Sequence, residues 1–294
     1  MKKFPLIGSI LLLATACQSS RSMSEPPRAV VSETYVHKYG FEVDPQEWQS
    51  RQSHGQKVTT LNNGVTVTES YNFGQLQGET TYSFPYSTSI ERSQLFDKGN
   101  LSADETRYMG NIPKKRTEFL DADKKTVKQW YENGSPHSIE TFDRDKLVTG
   151  EYFTFSHQPD SSVTEGSGTR TNRDPYGQLT SRETIDAGEM IERISYWPNG
   201  TPKEILPFKN NIVHGLRRTY YVGGEPDRVE QWENGVQNGI SIIYQNGEKY
   251  AEVPYTNGTK NGLEKRFLNG DQLFEEISWV DGREKGPAHN YKVH

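Results

Sequence analysis

In the last third of the chain, apolar and polar residues alternate over short runs, and each run stops at a turn dipeptide. Residues 232–262 read WENGVQNGISIIYQNGEKYAEVPYTNGTKNG, with Asn-Gly five times in 31 residues. Both residues of that dipeptide tolerate the positive φ of a tight type I′ turn, so the chain reverses direction at each. Between the turns, Ile240, Ile242 and Tyr244 hold alternate positions of one run, and Ala251, Val253 and Tyr255 those of the next. Period-2 patterning of this kind predicts strands in a sheet with one buried face.

The runs repeat in a fixed register. Gly215, Gly239, Gly262 and Gly286 are 24, 23 and 24 residues apart, and an aromatic residue lies seven positions before each: Phe208, Trp232, Tyr255 and Trp279. Half a period away, Trp197, Tyr221, Tyr244 and Phe267 lie three residues before Gly200, Gly224, Gly247 and Gly270. A period this short decides the fold class. It predicts an all-β protein, an elongated open antiparallel array in which each hairpin of about 23 residues adds to the edge of the last. Two-residue turns and longer bulged loops both fit the spacing, and they give different strand pairings.

Upstream the rhythm loosens. Trp130, Tyr131, Asn133-Gly134, Phe142 and Gly150 form a stretched copy, Tyr71 and Gly78 keep the spacing of seven, and Phe96, Tyr108 and Phe119 continue the beat. The expected organisation is degenerate repeats over 56–155, a polar Gly/Ser-rich insertion over 156–182, and regular repeats over 183–294. The insertion is expected as an excursion or an extra hairpin at one edge. Such segments in repeat arrays are either carriers of binding specificity or tolerated loops.

The units YWPNG, WENGVQNG, IIYQNG, PYTNGTKNG and RFLNG resemble bacterial variants of the MORN repeat, and the resemblance is good over 196–291. It implies an elongated antiparallel sheet used for binding or scaffolding, with no catalytic residues. Some proteins of that family are antitoxin-like and others are lipoproteins.

The N-terminal part is different. In residues 34–55, Asp44 is suited to cap a helix, Pro45 to open it, and Glu47 to its third position. That helix should run to about Gln52, stop before Gly55, and lay Trp48 over the open end of the array. Residues 18–33, with Pro26-Pro27, read as a flexible tether. Before them, MKKFPLIGSILLLATAC has two lysines, an apolar run over 4–13 and the small residues Ala14-Thr15-Ala16. This is a signal peptide over 1–16. Cys17 is the chain's single cysteine, and here the chain resembles bacterial lipoprotein precursors. The resemblance implies that Cys17 is diacylated and that the exported chain meets a membrane through this anchor alone, with Gln18 next to it pointing to the outer membrane. Two acyl chains anchor stably where one binds marginally. Ala14-Thr15-Ala16 also suits ordinary signal peptidase, which would leave a secreted, unlipidated form.

Composition narrows the chemistry. The chain is 32% hydrophobic, with 26 Gly and 11% aromatic residues and a mean hydropathy of −0.87. That suits a thin β-structure in which each strand contributes one ring, rather than a thick core. The net charge of −5 argues against nucleic acid, whose phosphates need a basic face. The seven histidines (His37, His54, His137, His157, His214, His289 and His294) show no metal-ligand spacing, and no nucleophile elbow or phosphate-binding glycine pattern occurs. No cofactor and no catalytic residue is expected. The expected function is non-catalytic binding or scaffolding of an envelope or surface protein. Binding of cell-wall glycan through exposed aromatics, and an antitoxin-like neutralising role, are the alternatives. One ring per strand favours a buried seam over a sugar platform.

Overall fold

The computed structural model describes residues 29–292. The signal peptide, Cys17 and most of the tether therefore lie outside the described residues. Within them the chain forms one antiparallel sheet of 28 strand segments. It contains a helix at Pro45–Ser50. No helix among the described residues is long and apolar enough to cross a membrane. The topology is an up-and-down meander that runs unbroken from Val30–His37 to Gln272–Val280.

The segment 156–182 is not an excursion at an edge. Its strands Pro159–Thr164 and Ser167–Arg173 pair with each other, and their outer sides pair with Lys146–Phe153 and Leu179–Asp186. They sit in the middle of the sheet because Val163 and Thr171, short as they are, both bury their side chains.

A meander places its turns on two opposite rims. One rim is made mostly of two-residue turns, and in Asn234-Gly235, Asn257-Gly258 and Asp281-Gly282 both φ values are positive. Main-chain bonds tie each turn to the preceding hairpin: Gly235 N–H donates to Val213 O (2.8 Å), Gly258 to Gln237 O (2.9 Å) and Gly282 to Lys260 O (2.9 Å). The other rim carries mostly longer loops. In residues 131–135, 197–201 and 221–225 the first N–H donates to the last carbonyl. Asn246-Gly247 is an exception there, a two-residue turn between Gln245 and Glu248. Both turn types suggested by the spacing are thus present, largely sorted by rim.

Side chains tie the second rim together. Asn199 Oδ1 accepts from Thr201 N (3.1 Å) while its Nδ2 donates to Val222 O of the next loop (2.7 Å). Asn133 repeats this with Ser135 N (2.9 Å) and Phe155 O (3.2 Å). Trp197 Nε1 reaches Tyr220 O (3.1 Å), and the fully buried Tyr131 donates its hydroxyl to Phe153 O (2.8 Å). Burial pushes the Tyr131 phenol up to about 12.

The sheet is a single layer over most of its length but curls sharply around residues 136–196. There Leu147, Tyr152, Val163 and Ile185 form a core, with Phe142 and Met190 packed against it. Three main-chain bonds close a ring above it: Gly166 N to Val148 O (2.8 Å), Gly188 N to Gly166 O (2.9 Å) and Leu147 N to Gly188 O (3.1 Å). A Cβ on Gly188 would lie 2.8 Å from Lys146 Cβ, so the ring needs glycine there.

At the N-terminal end, Asp44 Oδ1 accepts from Glu47 N (2.7 Å) and starts the helix. The helix ends at Ser50, short of Gln52, because Gln52 and Ser53 have φ of 60° and 46°. Trp48 is buried between Tyr35 and Tyr71, at ring distances of 5.5 and 6.1 Å. It therefore lies on the face of the first strands rather than over their open edge. The short strand Glu42–Val43 partly covers that edge, pairing with Val36 and Tyr35.

Candidate binding surface

Register fixes which side chains share a face. At the third position after the tight turns 210–211, 234–235 and 257–258 one extra residue interrupts the strand: His214, Asn238 or Asn261, whose N–H donates to Pro207 O (3.1 Å), Gln231 O (2.9 Å) or Pro254 O (3.0 Å). The repeat glycine follows, with φ of 115° at Gly215, 114° at Gly239 and 119° at Gly262. Each lies directly opposite the ring of the next unit: Gly215 against Trp232, Gly239 against Tyr255, and Gly262 against Trp279. Gly286 also has positive φ, but it follows the last tight turn and no paired ring faces it.

This ring-bearing inner face is lined with ion pairs. The buried Glu230 accepts from Arg217 Nη1 (2.7 Å) and from Trp232 Nε1 (3.2 Å). The buried Glu264 accepts from Lys260 Nζ and Arg266 Nε, both at 2.9 Å. Burial pushes the Glu264 carboxyl up, but its bonds to Lys260 and Arg266 outweigh burial and hold it below the usual carboxylate range. Among the repeat aromatics, Phe208, Trp232, Tyr255 and Trp279 are half-buried, as are Trp197, Tyr244 and Phe267, while Tyr221 is exposed on its loop. Cations of the chain itself cover several rings: Lys249 Nζ is 4.0 Å from the Phe267 centroid, Lys260 4.2 Å from Trp279, and Lys203 4.7 Å from Trp197.

The opposite, outer face is more apolar and less covered. The residue after each repeat glycine points there, and Leu216, Ile240 and Leu263 are 43%, 55% and 42% exposed. They fall in one row across the strands, with Leu216 opposite Gln231, Ile240 opposite Pro254, and Leu263 opposite Ser278. A second row beside it runs Ile205, Arg218, Val229, Ile242, Glu252, Lys265, Glu276, each opposite the next. Ile240, Ile242 and Tyr244 are therefore not on the buried face with Ala251, Val253 and Tyr255. The extra residue at Asn238 sets Gly239 opposite Tyr255 and Ser241 opposite Val253, which turns the isoleucines outward.

The curled section holds a second polar cluster that the linear pattern did not reveal. Arg170 donates to Glu140 through Nε (2.7 Å) and Nη2 (3.1 Å), and to Glu183 through Nη1 (3.3 Å). Tyr152 OH donates to Glu140 (2.8 Å), and Arg193 Nε donates to Glu183 (2.9 Å). Burial alone would lower the Arg170 pKa, but its bond to Glu140 and the two carboxylate charges raise it. Burial, reinforced by Glu140, pushes the Tyr152 phenol up. Both carboxylates are committed to these partners, the pattern of a structural network rather than of an acid–base pair. Among the described residues, no group of three or more His, Cys, Asp or Glu could hold a metal ion.

Taken from its geometry, the molecule is an open single-layer array of antiparallel hairpins. Residues 191–210, which span most of the strands Glu189–Tyr196 and Pro202–Lys209 and the loop between them, match the family model described as a MORN repeat variant. The match supports reading the array as MORN-type repeats. No curated protein matches the chain.

Proposed function

We propose that the chain is a non-catalytic protein-binding or scaffolding module, exported and held to a membrane, the outer membrane by its Gln18, through acylated Cys17. The carrying observation is the outer face, where Leu216, Ile240 and Leu263 stand exposed in one row across the hydrogen-bonded strands. Apolar side chains lined up on an uncovered sheet face mark a protein contact rather than a site for chemistry. The committed state of Glu140, Glu183, Glu230 and Glu264 supports the absence of catalysis. A glycan platform would need open ring faces set side by side, whereas Lys249, Lys260 and Lys203 sit over Phe267, Trp279 and Trp197, and the exposed Tyr39, Phe73, Tyr86 and Tyr176 lie on four separate loops. The test is affinity capture from envelope extract with the mature chain and with Ile240→Asp, run beside a polysaccharide-binding screen. Capture lost in the variant, with no glycan bound by either, is the expected result. Glycan binding unaffected by Ile240→Asp would reverse the assignment.

A further inference from the structure

We propose that the outer face from Pro202 to Leu268 is a self-complementary interface between two copies of this chain. The proposal rests on that face being a protein contact, and it names the occupant.

The order of charges in the second row carries the argument. Arg218 stands between Ile205 and Val229 on the neighbouring strands and has no ion pair or side-chain hydrogen bond among the described residues. A cation between two apolar neighbours, with no partner in its own chain, can take an anion from outside. Glu252 lies in the same row, with one carboxylate oxygen on Lys249 (2.8 Å) and the other uncommitted.

A two-fold axis parallel to the strands, passing between Pro226–Glu233 and Gly239–Gln245, turns each row onto itself with its order reversed. Val229 then faces Ile242 of the second copy, and Arg218 faces Glu252 twice. In the apolar row, Leu216 faces Pro254, Pro207 faces Leu263, and Gln231 faces Ile240. Moving the axis onto Gly239–Gln245 would put Arg218 against Lys265. Moving it onto Pro226–Glu233 would leave Arg218 over Ile242. Moving it to the gap between Gly239–Gln245 and Glu248–Thr256 would set Arg218 against Glu276, which already accepts from the Tyr291 hydroxyl (2.7 Å), and Val229 against Lys265. The first placement alone pairs Arg218 with an anion while keeping Val229 against Ile242, and it leaves Ile205 against Lys265 at its rim.

Two sheets related this way pack with their strands nearly aligned, about 10 Å apart. Six strands about 4.8 Å apart, each at least six residues long at about 3.4 Å per residue, give a patch of about 30 by 20 Å. Both copies together would bury about 1,200 Å², the lower end of specific, stable interfaces. A dimer of moderate, concentration-dependent stability fits that size.

The test is sedimentation velocity on the mature full chain carrying Cys17→Ser, over a concentration series, with circular dichroism to confirm that each variant is folded. A monomer–dimer equilibrium is expected. R218E alone and E252R alone should each raise the dissociation constant about tenfold or more, since each replaces both ion pairs with like charges. The double variant R218E/E252R should restore association, and I240D should abolish it. A monomer at every concentration, or a dimer indifferent to R218E and I240D, overturns the proposal. So does a monomer that uses Ile240 to capture another envelope protein or to bind phospholipid vesicles; the first of these would leave the protein-binding function standing. If I240D alters neither self-association nor capture, both fail together.

Discussion

Gly239 lies directly opposite Tyr255, so the glycine of one hairpin is paired across the strands with the ring-bearing residue of the next. The pairing recurs at Gly215 with Trp232 and at Gly262 with Trp279. A strand glycine packs poorly and weakens its strand, and a cross-strand ring restores the missing contact. The period of the sequence is therefore the period of a coupling between neighbours, not of a self-contained unit.

Gly239→Val should destabilise the array by about 1–3 kcal/mol, since a β-branched residue at φ 114° is strained. Chemical denaturation against the wild type measures it, and an unchanged midpoint would refute the role given to this glycine.

Trp232→Ala should cost about 2–3 kcal/mol, below the range for a fully buried aromatic because the ring is only half-buried. Trp232→Phe keeps an aromatic ring opposite Gly215 but loses the bond to Glu230, which Arg217 still holds, and should cost about 1 kcal/mol. Equal losses in the two variants would show that the indole N–H, not the ring, matters.

The carboxyl of Glu264 is held below its ordinary value of 4.5 in the folded protein. Its contribution is therefore complete well above pH 4.5 and is lost as pH falls below that value through its folded pKa. The stability gap between wild type and Glu264→Gln should be widest near neutrality and shrink in acid. Urea unfolding of both proteins at several pH values checks this; a gap that widens on acidification has the wrong sign.

Deleting residues 239–261 removes one period and joins Asn238 to Gly262, which again faces Trp279. The shortened chain should stay soluble with a β-type spectrum. The register also places Glu230 opposite Glu264 and Arg228 opposite Arg266, so a loss of about 1–3 kcal/mol is expected, partly recovered by Glu264→Gln. Deleting 156–178 instead removes Val163 and breaks the ring through Gly166, and this variant should not fold. If the two deletions behave alike, the curled section is not a distinct core.

Cys17→Ser should release the protein from membranes into the aqueous phase on detergent phase separation. Retention equal to the wild type would rule out the lipid anchor.

The array was legible because turn dipeptides and rings recur at one spacing, and local chemistry alone makes each hairpin. The facing of the strands was not legible. One extra residue at Asn238 moves every side chain beyond it to the other face, and Ile240 reads as core until that residue is counted. The curled core was hidden for another reason. Glu140 and Arg170 are 30 residues apart, and Val163 sits among serines and threonines whose polarity suggests a loop. Burial there comes from curvature, which hydropathy along the chain does not encode.

The two rims differ in what mutation can reach. On the first, neighbouring hairpins are fastened by the main-chain N–H of turn glycines such as Gly235, Gly258 and Gly282, so only substitutions that keep the positive φ of the turn leave that seam closed. On the second, the fastening depends on the side chains of Asn133, Asn199, Trp197 and Tyr131. Replacing any of them loosens one side of the ribbon and leaves the other held.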